Sequence, residues 1–391
     1  MGLKVLMILS DHGYPPDIRL DKEIGTLCKK GVSVTVLAQG VATERREEDL
    51  RECRVVRFTR PMANTPKIGG AFYLGLFRYL LFFTVIRTRR RLKPDILHVH
   101  DLPYVFPTVL VGKLTGTPVI VDLHENYPDM IMTVHGSSVM TRAICRLLEY
   151  DERHVLDMAD HMIVVVDEQL ERYREMGIDT DISVVSNFPS KDEMTPLDLD
   201  RTPFEGRYIC YVGGFEPFRG LDTTVRAFSA VANRHRDVSL VLVGGQESEV
   251  STLRKGLKEL ENSDRIKLVG KQPFETAMQY VAHSEICLVP HKRAGVTEYT
   301  IPHKLFQYMY FRKPVIVTDL RPLKRIVEDA GCGLCFRSDD HDDLAEKMDR
   351  LLSNPGLCRR MGSAGHKAVT TKYNWEAEGR KLIEIYKKMG S

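Results

Sequence analysis

Hydrophobic residues along this chain gather into short runs that end abruptly at small or polar residues, with longer amphipathic stretches between them. Residues 4–9 (KVLMIL) predict a buried strand, 18–30 a helix stopped by Gly31, and 32–38 (VSVTVLA) the next strand. Further strands are predicted at 95–100 (DILHVH), 118–124 (PVIVDLH) and 161–166 (HMIVVV), each separated by enough chain for a crossover helix. Alternation of this kind builds a parallel sheet covered on both faces.

The pattern lapses over 187–206, NFPSKDEMTPLDLDRTPFEG, where Pro, Asp and Ser accumulate. Beyond it the layout restarts with YICYVG, VSLVLVGG, RIKLVG, ICLVPH and PVIVTD, again alternating with helical segments, and residues 373–388 form an amphipathic stretch that holds the single tryptophan. The expected fold class is α/β, two doubly wound Rossmann-like domains facing a central cleft. The expected boundaries are 1–188 for the first domain, 189–206 for a linker, 207–370 for the second domain and 371–391 for a terminal helix that crosses back to the first. Ligands of open α/β sheets bind beyond the carboxyl ends of the strands, so the chemistry is sought there.

Composition changes this picture little but excludes some partners. At 391 residues the chain exceeds one hydrophobic core, and 56 basic against 53 acidic side chains leave a net charge of only +3, with no like-charge block to recruit nucleic acid. Eight cysteines are scattered without a framework spacing, and the opening MGLKVLMILSDHG has no basic region followed by a long apolar run. A cytoplasmic protein is expected. Cys332 and Cys335 form a lone CxxC without a second pair, which reads as a glycine-punctuated turn feeding a strand rather than a zinc or redox site.

The second half carries three features suited to a phosphate. Gly213 and Gly214 end a strand and let the backbone approach a ligand, the helix pattern from Leu221 offers unpaired N–H groups, and Arg219 can fork onto phosphate oxygens. A second pair, Gly244 and Gly245, ends the next strand. In YTIPHKLFQYM, Pro302 opens a helix on which Lys304 and Gln307 share a face, supplying a second cation and a partner for a ribose hydroxyl. Neither G-x-G-x-x-G nor G-x-x-x-x-G-K-[ST] is present.

With PPDIRLDKEIGTLCKKGVSVTVLA, DILHVHD, PVIVDLHE, ADHMIVVVDE, VVSNFP, YVGGFEPFRGLDTTVRAF, LVLVGG, PHKLFQYMYFRKPVIVTD and YNWEAEGRKLIEIY in that order, the chain resembles the retaining glycosyltransferases of family 4, of GT-B fold, over essentially its whole length. The resemblance implies transfer of a sugar from a UDP- or GDP-linked donor to an acceptor hydroxyl with retention, in the synthesis of a glycan, polysaccharide or glycolipid, without a metal or other cofactor. It places Arg219 and Lys304 on the donor diphosphate, Gly270 and Lys271 at the nucleobase, and Glu298, Tyr299, His303, Leu305 and Gln307 in the remainder of the donor site. The family's E-x7-E motif is altered: Gln307 replaces its second glutamate, and the first falls on Tyr299 with Glu298 beside it. Where the family commonly has an arginine two residues after the first glycine of the turn, this chain has Phe215.

In the first half, three strand ends present polar groups: Ser10, Asp11 and His12; His100 and Asp101; His124 and Glu125. All are expected to open onto the cleft, with His12, Asp17, Arg19, His100, Asp101 and Glu125 as acceptor-binding candidates. For Asp17 the competing account is helix-end electrostatics. His124 resembles the family histidine near the reacting sugar, hydrogen-bonding to donor or acceptor, whereas His98 reads as a core histidine. A metal hydrolase built on His98, His100, Asp101, His124 and Glu125 is a rival, but it leaves the phosphate features of the second half unexplained. A sugar-nucleotide 2-epimerase of the same architecture, and a nucleotide-binding but catalytically silent partner of another transferase, are the further alternatives. Residues 71–93 combine an aromatic and aliphatic run with a basic end, too short to span a bilayer. They are expected to form either a buried crossover helix or a peripheral contact with an anionic membrane, which would suit a lipid-linked rather than a free glycan acceptor.

Overall fold

The computed structural model describes residues 2–40, 44–59, 70–194 and 201–390, with side chains described for all of these except 10–12, 59, 70–77, 134, 135, 192 and 194. The chain forms two compact units: Met1–Asn187 together with Ala377–Ser391, and Phe188–Glu376.

The first unit is built on an eight-stranded sheet. Its strands are β1 (Lys4–Gly13), β2 (Ser33–Gly40), β3 (Glu47–Asp49), β4 (Arg54–Thr59), β5 (Ile96–His100), β6 (Val119–Leu123), β7 (His161–Val164) and β8 (Ile182–Val184), in the order β3-β4-β2-β1-β5-β6-β7-β8. Every pairing is parallel except that of β3 with β4. The central strands read as unbroken apolar runs because helices cover both of their faces; Leu6, Ile8, Leu97, Val99, Val119 and Val121 belong to one buried core. The helix Gly70–Leu92 contributes Leu81 and Val85 to that core, so the crossover-helix expectation holds for its described part. No helix among the described residues is long and apolar enough to cross a membrane.

The second unit carries β9 (Arg207–Gly213), β10 (Val238–Gly244), β11 (Ile266–Gly270), β12 (Ile286–Val289), β13 (Val315–Thr318) and β14 (Gly333–Phe336), in the order β11-β10-β9-β12-β13-β14, all parallel. Two clusters, one on each face of this sheet, bury its side chains. Because the strands run the same way, their carboxyl ends share one edge, and β9, β10 and β11 each reach it with a glycine: Gly213 stands opposite Gly244, and Gly270 opposite Val243.

Part of the segment expected as a linker, 189–206, is structured and belongs to the second unit. Phe188 packs edge-on against Phe306 at 4.8 Å and against Tyr373 at 5.4 Å, and Lys191–Met194 is helical, so apolar anchoring overrides the local loss of periodicity. Residues 195–200 of that segment lie outside the described residues. The terminal helix Trp375–Met389 returns to the first unit from Ala377 onward. There Glu378 accepts from the backbone N–H of Ser186 at 2.8 Å and the Tyr386 hydroxyl meets His98 Nδ1 at 2.6 Å. All eight cysteines are free, and Cys335 lies in β14 directly after the turn at Cys332, as the lone CxxC suggested.

Candidate functional site

The glycine edge of the second unit gathers cations. Gly213 has φ +146°, and a Cβ there would lie 2.3 Å from Lys304 Nζ, so only glycine lets the ammonium sit against the turn. Lys304 is the second residue of the helix His303–Tyr310, with Pro302 immediately before it. Its Nζ donates to the Tyr211 hydroxyl at 2.9 Å and lies 4.0 Å from the centre of that ring, and the Tyr211 hydroxyl in turn donates to the carbonyl of Gly214 at 2.6 Å. Only 9% of Lys304 is exposed. Burial, with Arg219 adding to it, holds its pKa well below the usual lysine range.

Arg219 ends a short 3-10 turn, Pro217–Arg219, ahead of the helix Leu221–Ala232. Its guanidinium lies over the Phe218 ring at 4.6 Å, donates from Nε to Glu216 at 3.1 Å, and places Nη1 3.2 Å from Nε2 of His291. His291 follows β12 and is 3% exposed; burial, then Lys304 and Arg219, push its pKa well below the ordinary histidine value. Sequence reasoning missed His291. The available signal was its place at the carboxyl end of a strand predicted to reach the same edge.

The remaining donor-site candidates fall out unevenly. Gly213, Gly214, Gly244, Gly245 and Gly270 stand at the strand ends, with Lys271 exposed just beyond β11. Gln307 lies one turn after Lys304 on the same helix, and His303 begins it. Leu305 is fully buried in the core, so its side chain is structural and only its backbone is left for a ligand. Tyr299 follows the short helix Gly295–Glu298. Glu298 is bound by Arg293 at 2.5 Å, with Arg293 also 3.3 Å from Asp319.

The strand ends of the first unit form a different kind of cluster. Arg19, on the helix Ile18–Cys28, points inward: it is 3% exposed, donates from Nε and Nη2 to Asp122 at 3.1 and 2.7 Å and from Nη1 to the carbonyl of Val185 at 3.0 Å, and lies 3.0 Å from Glu23. Asp122, on β6, is opposite His100 on β5. Burial alone would raise Asp122, but Arg19 and then His124 override it and hold its pKa well below the usual carboxylate range. Burial, against the lowering effect of Arg19, raises the pKa of Glu23 well above its ordinary value. Burial also pushes His98 down to about 3 and His100 well below the histidine range, so both rings are neutral.

Among the described side chains of that cluster, His124 is the other basic group favoured in its charged form, besides Arg19. Its Nδ1 faces Asp101 at 3.4 Å and its Nε2 faces Asp122 at 3.5 Å; against the opposing effect of burial, the two carboxylates raise its pKa well above the ordinary value.

Several first-half expectations are therefore corrected. Arg19 and His100 do not reach an acceptor, because β5 is central in the sheet and helix Ile18–Cys28 turns its charged stripe into the core. Asp17 is the N-cap of that helix, accepting from the N–H of Leu20 at 2.9 Å, which is the helix-end account. Both ring nitrogens of His124 are directed at carboxylates of the chain. Asp101 is 5% exposed with φ +68°, and Glu125 is half-buried. The side chain of His12 lies outside the described ones.

Glu23, which sequence reading passed over, joins His98, His100 and Asp122 in a buried group whose ligand-type atoms lie within 4.8 Å of one another. As a metal site it fits poorly. Arg19 already binds Asp122, His98 Nδ1 is engaged by Tyr386, and the guanidinium supplies the positive charge that a cation would bring.

Comparison with known proteins matches this layout. The family model described as Glycosyl transferases group 1 covers residues 201–368, and the Glycosyl transferase 4-like domain covers residues 24–187. An alpha-D-kanosaminyltransferase of Streptomyces kanamyceticus is 21% identical over 324 residues, 78% of this chain and 81% of its own. In fold, sucrose-phosphate synthase from Thermosynechococcus elongatus superposes with a TM-score of 0.75 at 18% identity, over 99% of both chains. HepE of Anabaena in complex with UDP superposes at 0.72 and 14% identity, over 99% of this chain and all (100%) of that one. With both halves matched by glycosyltransferase families and the fold shared along its whole length, the chain belongs to the family 4 glycosyltransferases of GT-B fold.

Proposed function

We propose that this protein moves a sugar from a UDP- or GDP-linked donor to an acceptor hydroxyl with retention, and that the glycine edge of the second unit holds the donor diphosphate. The observation that carries this is the pair of basic side chains, Arg219 and Lys304, brought to one strand edge where Gly213 leaves room for the lysine nitrogen, whose charged form a bound diphosphate would favour. In the retaining reaction the bond from the anomeric carbon to the diphosphate oxygen breaks and the bond to the acceptor oxygen forms on the same face. The acceptor proton passes to the departing diphosphate. Charge builds on that leaving group, so two preorganised cations beside it stabilise the transition state more than the ground state. They supply the positive charge a divalent ion would otherwise provide, and turnover is expected to persist in excess chelator.

Thermal unfolding against UDP, GDP, ADP and TDP, with chelator present, tests this directly. A ligand at about one hundred times its dissociation constant adds about 2.7 kcal/mol to the folded state. UDP or GDP is expected to stabilise selectively, UDP being the nucleotide bound in the HepE neighbour. No response to any of the four would overturn the donor site.

One observation favours a second reading, a protein that binds nucleotide without transferring sugar. Glu298 is tied to Arg293 and neither glutamate of E-x7-E stands in register, so the donor sugar lacks its usual carboxylate partner. Stabilisation by UDP or GDP without product from any matching nucleotide sugar would select it.

For the acceptor we propose a lipid-linked glycan met at an anionic membrane surface. On the helix Gly70–Leu92, Tyr79 and Phe83 are 70% and 64% exposed beside exposed Arg87 and Arg90. Arg89 and Arg91 are engaged with Thr117 and Glu47, so reversing Arg87 and Arg90 alone is the informative change. Reduced sedimentation with phosphatidylserine vesicles is expected; equal sedimentation removes the idea.

A further inference from the structure

Arginine has only donors to offer, so the nitrogen of His291 that faces it must accept, which requires a neutral ring protonated at Nδ1. The ring is held in place by its own backbone. Lys292 donates its N–H to the carbonyl of Phe218 at 2.8 Å, and Gly220, at φ +69°, sits so close to the segment that a Cβ there would lie 1.9 Å from the carbonyl oxygen of Pro290. Residues 290–292 are thus clamped on the turn that carries Arg219, and His291 faces the guanidinium at 3.2 Å with only 3% of its surface exposed.

We propose that His291 is a positioning residue that aims Arg219 at the donor diphosphate while leaving its charge intact. This rests on the proposal that Arg219 binds that diphosphate. A carboxylate at position 291 would align the guanidinium as well but would cancel its charge, as Glu216 already does in part from the Nε side. An apolar residue would leave one arm of the fork unaligned. A neutral imidazole avoids both. Lys304 is treated the same way, its partner among the described residues being the neutral hydroxyl of Tyr211. Lys304 and the Nη1 arm of Arg219 are thereby oriented by groups that do not compete with a phosphate for charge, while Glu216 holds the Nε side of Arg219.

The test is binding of UDP and of GDP by calorimetry in chelator, for the wild type and for His291→Ala, His291→Gln, His291→Glu, Arg219→Ala and the double variant Arg219→Ala/His291→Ala, with the unfolding temperature of each apo protein as a check on folding. His291→Ala is expected to weaken the nucleotide about tenfold, as loss of a hydrogen bond to a charged group does. His291→Gln, which keeps a neutral acceptor, is expected to stay within about threefold of wild type. His291→Glu keeps the bond yet is expected to bind at least as weakly as His291→Ala. In the Arg219→Ala background, His291→Ala is expected to add nothing. Wild-type affinity in His291→Ala or His291→Glu, or additive losses in the double variant, would overturn the proposal while leaving the diphosphate site standing. A wild type that binds neither nucleotide would overturn both.

Discussion

The two units place polar clusters at the carboxyl ends of their parallel strands, but the clusters are organised in opposite ways. In the first, Arg19 and His124 are answered by Asp122 and Asp101, burial raises the pKa of Glu23, and His98 and His100 are neutral rings in the core. In the second, Arg219 and Lys304 meet a histidine and a tyrosine, with Glu216 the carboxylate on Arg219. A network that neutralises itself holds a fold together; one that leaves cations undercompensated spends stability to keep a place for an anion. Sequence position alone does not separate the two, because both lie where ligands of open sheets bind.

The largest effect that would test this contrast is expected at Arg19. Replacing it by methionine leaves Asp122 ionised and buried without its partner, which should cost about 3 to 5 kcal/mol in urea unfolding. A loss below about 1 kcal/mol, the range of exposed pairs, would mean that the first cluster is not self-neutralised by Arg19.

Lys304 should behave in the reverse sense. Its depressed pKa marks a charge that the apo fold holds at a disadvantage. Lys304→Met is therefore expected to leave apo stability unchanged or raise it by about 1 kcal/mol, while weakening UDP or GDP by at least about thirtyfold, roughly 2 kcal/mol. Destabilisation of the apo protein with unchanged nucleotide affinity would reverse the assignment of the two clusters.

How far the sequence showed this depends on which residues are asked. The central strands were legible because strands buried on both faces are continuous apolar runs; β3, β4 and β8 were not, being short or mixed with charge, and they lie at or next to the sheet margins. The glycines of the second unit were legible as strand ends because each closes an apolar run. For Leu305 the sequence could not say whether side chain or backbone would meet a ligand, because a family position carries no such information; the side chain is in the core. Arg19 and Glu23 were misjudged or missed although the signal existed: the buried face of their helix, Arg19, Leu20, Glu23, Ile24 and Leu27, holds two charged residues four apart where an amphipathic helix should be apolar. Charge on the apolar face implies a partner in the core, and Asp122 in the middle of an apolar strand was that partner.

Acid titration probes the neutral rings. His98 has a folded pKa of about 3 against an ordinary 6.5, so between those values the unfolded chain binds a proton that the native ring refuses, and stability falls as pH falls below about 6.5. His124 contributes in the other direction, its stabilisation being complete below about 6.5 and lost only as pH rises through its raised folded value. His98→Gln is expected to lower the slope of stability against pH, between about pH 4 and 6, by about 1.4 kcal/mol per unit, one proton's worth. An unchanged slope would mean that His98 is protonated in the native state and that the first cluster is not neutral at its centre.

The smallest effect separates structure from function at the rim of the first cluster. Asp17 accepts from the N–H of Leu20 and caps the helix that carries Arg19 and Glu23. Asp17→Ala is expected to cost about 1 kcal/mol of stability, and Asp17→Asn or Asp17→Ser to recover most of it, since any of these side chains can accept from the helix N-terminus. If the cap is the whole of its role, KM for the acceptor stays that of the wild type in Asp17→Asn. A raised KM in that variant, with stability retained, would show that the carboxylate charge itself meets the acceptor, and the first unit would then hold a binding residue on the edge of a network otherwise closed to ligands.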